Sequence, residues 1–163
     1  MNNRIEQLKR SIRNWILLFI VCLIASGLTA FPIETELALI LKYTRWLPPG
    51  LHTWMHQTYI AINATNTSFP QLSYGTDWLA FAHLIIGIVF LGVMKDPVRN
   101  VWILQTGVLA CILVIPVALI AGYIREIPFF WQMIDCSFGI IGLIPLVICL
   151  HKVRELEKST SGL

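Results

Sequence analysis

The chain has 163 residues, of which 56% are hydrophobic and only 13% charged, and its mean hydropathy is +0.72. Soluble domains carry about 25% charged residues, so the composition excludes an ordinary soluble domain and a disordered chain. The net charge of +3 is too small to indicate a nucleic-acid partner. All four cysteines lie within apolar runs, which excludes a disulfide scaffold as well.

Four long apolar runs predict transmembrane helices over residues 15–31, 78–94, 101–123 and 128–150. Each run has about 17 to 23 residues, close to the roughly 20 that a helix needs to cross the hydrocarbon core. Pro116 and Pro145 lie inside two of the runs and are predicted to kink the helices without ending them, since neighbouring helices can satisfy the freed carbonyl groups. The predicted fold is therefore an all-α membrane protein, with residues 1–163 forming one four-helix integral membrane domain.

The distribution of basic residues predicts the orientation. In a four-pass topology nine Lys and Arg residues fall on one side of the membrane, and only Lys42, Arg45 and Arg125 fall on the other. The positive-inside rule then places both termini in the cytoplasm, and in a bacterium the membrane would be the inner one. The basic leader is long and its apolar run continues into Phe31 and Pro32, which favours a retained signal anchor over a cleaved signal peptide.

Tight turns are predicted between the last three helices. Pro97 ends the second helix in the segment 95–100, and Gly122 is a candidate C-terminal cap before the segment 124–127. Helices two, three and four are therefore expected to form an antiparallel meander.

The outer segment 32–77 is too long for a simple connector and too apolar for a disordered linker. A first amphipathic helix is predicted from the helical spacing of Ile33, Leu37, Ile40, Leu41 and Thr44. Prolines at 48 and 49 interrupt it, and a second helix is predicted over residues 51–62, with His52, His56 and Tyr59 on one face. Residues 63–76 are predicted to be a loop, followed by Asp77 as the N-cap of the second membrane helix.

Two ionisable residues lie inside the predicted membrane helices, where such groups are costly and often functional. His83 and Asp135 fall about 8 and 10 Å below the outer ends of their helices at a rise of 1.5 Å per residue. Their matched depths allow them to pair, either as part of a binding site or as a hydrogen bond or ion pair that joins helices two and four.

The functional hypothesis is a metal site formed by His52, His56, His83 and Asp135. Imidazole and carboxylate groups suit zinc, iron or copper, and two histidines spaced i, i+4 can both reach one ion. The sequence HTWMH lacks the glutamate of HExxH hydrolases, so it does not indicate a metalloprotease. A haem would use His83 with either His52 or His56 as its axial ligands. Alternatively, His52 and His56 are polar residues at the membrane surface.

Three functions remain open on the sequence alone. The preferred one is a small integral membrane protein that binds a small ligand or metal ion at an outer-facing polar pocket. The second is a non-catalytic accessory or assembly subunit of a larger membrane complex, or a homo-oligomer. The third is a haem-binding protein or intramembrane enzyme, although the sequence contains no recognisable nucleophile and base pair. Membrane lipids are expected partners in every case.

Overall fold

The computed structural model describes residues 2–44 and 46–161, so Arg45, one of the predicted outer basic residues, lies outside the described residues. The described residues form six helices and no strand: α1 (Asn2–Thr29), α2 (Ile33–Tyr43), α3 (Pro49–Ser68), α4 (Pro70–Lys95), α5 (Val101–Ile124) and α6 (Phe129–Ser161). The all-α prediction is confirmed, and so are the two additional helices in the segment between the first two spans.

Helices α1, α4, α5 and α6 are long and apolar enough to cross a membrane. At most 22% of the most apolar window of each helix is buried inside the protein, and large apolar side chains such as Leu109, Val117 and Ile141 are more than half exposed. A surface of this kind would promote aggregation in water, whereas lipid tails are as apolar as the side chains themselves. The chain is therefore an integral membrane protein.

Helices α1 and α6 extend well beyond their apolar runs. Helix α1 begins at Asn2 and α6 continues to Ser161, whereas the apolar runs begin at residue 15 and end at residue 150. The added segments are rich in Arg, Lys, Glu and Gln, which are strong helix formers although they are polar. Hydropathy therefore predicts which segments cross the membrane but underestimates the lengths of these two helices. Pro116 and Pro145 lie inside α5 and α6, as predicted.

The predicted loop over residues 63–76 is wrong, because α3 continues to Ser68 and α4 begins at Pro70. Asp77 consequently lies inside α4 and is not an N-cap. The hydroxyl groups of Thr65 and Thr67 donate to carbonyl oxygens one turn earlier, each at 2.8 Å. Their hydrogen bonds are thus satisfied within the helix, so the polar composition does not require a loop.

The chain divides into two compact units, Met1–Val21 with Gly87–Leu163 and Cys22–Ile86. In the first unit α5 packs along α6, and the largest fully buried side chains include Ile12, Ile16, Leu104 and Leu146. A β-carbon on Gly139 would lie 2.5 Å from the Cys111 carbonyl oxygen, so the two helices approach closely there.

The turn between α5 and α6 differs from its prediction. Gly122 is buried inside α5, where a β-carbon would lie 2.6 Å from the Gln132 side chain. The helix ends beyond it: Glu126 has a φ of 54°, and the Ile127 N–H donates to the Gly122 carbonyl oxygen at 2.9 Å. This is the usual end of a helix with a left-handed residue, here a glutamate. Gly122 is therefore required for close packing, not for capping.

In the second unit α2 and α3 form a helical hairpin joined by residues 44–48. Glu34 near the start of α2 hydrogen-bonds Asn63 and Asn66 near the end of α3, so the two helices run antiparallel. The end of α1 approaches α4 in the same unit, because a β-carbon on Gly27 would lie 2.5 Å from the His83 β-carbon. Small residues allow such approaches between membrane helices.

Candidate functional site

A cavity of about 780 Å³, open to the surface, lies between α2 and α3. Small-molecule sites are typically about 300 to 1,000 Å³, so this volume is large enough for a ligand. The cavity is lined by one face of each helix and by the connection between them: Ala38, Leu41, Lys42, Leu47, Pro49, His52, Thr53, His56 and Tyr59. On both helices the lining positions are three or four residues apart, the spacing that places side chains on one face.

The local sequence determines where the hairpin turns. The Thr44 N–H and hydroxyl group both donate to the Ile40 carbonyl oxygen at the end of α2. Pro48 precedes the first residue of α3 in an extended conformation, and Pro49 begins the helix, where its missing N–H costs nothing. The short connection therefore returns the chain along α2.

The lining of the cavity combines polar and apolar side chains. Lys42, His52 and His56 supply basic groups, and Thr53 and Tyr59 supply hydroxyl groups. The Lys42 ammonium also lies 5.4 Å from the centre of the adjoining Tyr43 ring, within the range of a cation–π contact. The apolar lining residues are Ala38, Leu41, Leu47 and Pro49, and no carboxylate is among the described lining residues.

A hydrogen-bond network closes the other end of the hairpin. The Glu34 carboxylate accepts hydrogen bonds from the side-chain amides of Asn63 and Asn66, at 2.6 and 2.5 Å. The Ser73 hydroxyl group donates to the side-chain amide oxygen Oδ1 of Asn66, so the network joins α2, α3 and α4. The amide of Asn66, followed by that of Asn63, lowers the pKa of Glu34 below its ordinary value.

Acidification is expected to weaken this network. Because the folded pKa of Glu34 is lowered, its ionised form contributes stability that is fully present above about pH 4.3 and is lost as the pH falls through the folded value. The melting temperature in detergent, measured from neutral to acidic pH, should therefore change less with pH in Glu34→Gln than in wild type. Glu36→Gln is the control, because Glu36 lies on the same helix without a side-chain partner in the described residues. Identical pH profiles for the two variants would contradict the assignment.

A second cavity, of about 390 Å³, lies beside the network. Its lining contains two carboxylates, Glu34 and Asp77, together with Asn66, Ser73, Thr76 and Tyr74, and no basic side chain is among the lining residues that the structure describes. The second unit thus contains a basic cavity between α2 and α3 and an acidic cavity beside the Glu34 network.

The structure brings together only part of the predicted metal site. His52 and His56 line the same cavity, whereas His83 lines neither cavity; its Nδ1 lies 2.8 Å from the Leu79 carbonyl oxygen, one turn earlier in α4. Asp135 is half-buried on α6, which belongs to the other compact unit. Within residues 2–44 and 46–161 there is no group of three or more His, Cys, Asp or Glu side chains that could hold a metal ion. The four-residue metal site, the haem alternative and the pairing of His83 with Asp135 stay predictions.

Sequence reasoning identified the histidine face of α3 but missed the residues opposite it. Ala38 and Lys42 are spaced i, i+4 on α2, and this spacing predicts that they share one face of the helix. The register that brings this face against His52 and His56 depends on the hairpin, which the sequence pattern did not indicate.

Comparisons of the chain with protein-family models, with curated proteins and with solved structures found no match. The functional argument therefore rests on the chemistry of the cavity.

Proposed function

We propose that this integral membrane protein binds a small ligand in the cavity between α2 and α3. The observation that carries the proposal is that two imidazoles, an ammonium group, two hydroxyl groups and four apolar residues line one space of about 780 Å³. Ligand sites typically combine a mostly apolar surface with a few placed polar groups, as here.

The space between α2 and α3 is an open cleft on the surface of the hairpin, because Lys42, Thr53 and His56 among its lining residues are exposed. The small side chain of Ala38 lines this cleft, and a larger residue at that position would occupy part of it.

A small molecule is favoured over a bare metal ion. Zinc sites have three or four protein ligands, whereas this cavity offers two imidazoles, His52 and His56. The accessory-subunit alternative gains no support from the exposed apolar side chains of the spans, because contact with lipid already accounts for them.

Filling the cavity is expected to abolish ligand binding. In native mass spectrometry of protein extracted in a mild detergent, the wild type should retain a small molecule that Ala38→Trp lacks, because the indole occupies the same space. Ala64→Trp is the matched control, since Ala64 is exposed on α3 and lines neither cavity. Equal retention by wild type and Ala38→Trp, or no retained molecule in any of the three proteins, would contradict the proposal.

A further inference from the structure

We infer that the ligand of the α2–α3 cavity is an anionic amphiphile, a phosphate or carboxylate headgroup attached to an acyl chain. This inference rests on the proposed function and assigns the chemical class of the ligand. The first supporting observation is the charge of the lining: Lys42 carries a positive charge, the imidazoles of His52 and His56 offer N–H donors to an anion, and no carboxylate is among the described lining residues. A lysine ammonium is a common ligand for phosphate.

Glu34, the α2 carboxylate that lines the second cavity, is too far away to cancel the positive charge of Lys42. Glu34 precedes Lys42 by eight residues, about 12 Å along the helix axis, which exceeds the screening length of about 8 Å at physiological ionic strength. The Glu34 carboxylate is also engaged with Asn63 and Asn66. The other carboxylate of α2, Glu36, is not among the lining residues. The cavity is therefore a local site for anions.

The second observation concerns the apolar groups at and around the cavity. Four apolar residues line it, Ala38, Leu41, Leu47 and Pro49, and a free inorganic anion would leave them without a contact. The neighbouring Tyr43 and Trp46 are 69% and 79% exposed, and Leu39 is also exposed. Exposed Trp and Tyr are typical of protein surfaces at the headgroup level of a membrane. An acyl chain joined to the anionic headgroup would cover these apolar side chains.

Matched single-chain lipids test this assignment. Lysophosphatidylglycerol and lysophosphatidylcholine of the same acyl chain both contain a phosphodiester, but only the first has a net negative charge. Calorimetric titration of the full-length protein in a neutral detergent should show tighter binding of lysophosphatidylglycerol. Lys42→Gln should weaken that binding about tenfold or more, the loss typical of a charge-assisted contact. Lys9→Gln, which removes a lysine outside the cavity, should leave it unchanged.

The outcomes distinguish failure of this inference from failure of the proposed function. Equal binding of the two lysolipids, unaffected by Lys42→Gln but abolished by Ala38→Trp, would overturn the anionic class and leave the cavity as a ligand site. If inorganic phosphate displaced the lysolipid at concentrations similar to those of the lysolipid itself, the assignment of an amphiphile would be overturned. Binding unchanged in Ala38→Trp would overturn both. The source of the ligand can be tested in vesicles of phosphatidylcholine. If added phosphatidylglycerol competes with lysophosphatidylglycerol for the cavity, the ligand is a membrane lipid; if it does not compete, the ligand is a free single-chain amphiphile.

Discussion

Replacing Gly139 with valine is expected to destabilise the protein severely, by about 3 kcal/mol or more. A β-carbon at this position would lie 2.5 Å from the Cys111 carbonyl oxygen, and the bulkier valine adds two further carbons. Overpacking commonly costs about 1 to 3 kcal/mol, and here the opposing atom belongs to the helix backbone, which cannot rotate away as a side chain can. Thermal unfolding and the monodisperse fraction in detergent would measure the loss.

Two further glycine substitutions complete this test. Gly139→Ala should still lower the melting temperature, because even one added carbon meets the α5 backbone. Gly75→Ala is the control, since nothing lies within 4 Å of its β-carbon position inside α4. Replacing a helical glycine in open space with alanine stabilises by about 0.5 to 1 kcal/mol, so this variant should be as stable as wild type or more stable. Equal melting temperatures for Gly139→Ala and Gly75→Ala would show that α5 and α6 do not meet at Gly139.

Reporter fusions at successive connections between the spans are expected to be fully active on one side of the membrane and inactive on the other, in alternation along the chain. The positive-inside prediction places Phe69 and Glu126 outside, and Val98 and Leu163 in the cytoplasm. Truncated chains fused after each of these residues to alkaline phosphatase, which is active only outside the cytoplasm, should be active at the first two positions and inactive at the other two.

This experiment also decides which side the basic cavity faces. Helices α2 and α3 lie between two spans, so they share the side on which the fusion after Phe69 is found. Alkaline phosphatase activity after Val98 and Leu163, with none after Phe69, would reverse the topology and give the cavity access to cytoplasmic ligands. The same activity at all four positions would contradict the four-span arrangement itself.

Element boundaries show where local sequence patterns failed. The stretch 63–76 has the Asn, Ser, Thr and Gly content of a loop, yet its described backbone is helical on both sides of Phe69. Threonine hydroxyl groups that bond back within α3 make the polar sequence compatible with a helix. The local sequence around Gly122 predicts a cap, but glycine occurs both at helix ends and at close contacts between helices, and only the position of Gln132 distinguishes the two roles.

The sequence by itself determined that the chain crosses a membrane with four helices, and that His52, His56 and Tyr59 share one face of a fifth. Both properties are local, because transfer into lipid depends on the summed apolarity of one segment and a helix face depends only on residue spacing. The partners of that face were decided by the tertiary structure. Lys42 lines the same cavity as the histidines, and Glu34 bonds to amides 29 and 32 residues away, only because α2 and α3 pack in one particular register. Register is set by side chains that fit across the hairpin, and such contacts leave no periodic signal in a single sequence.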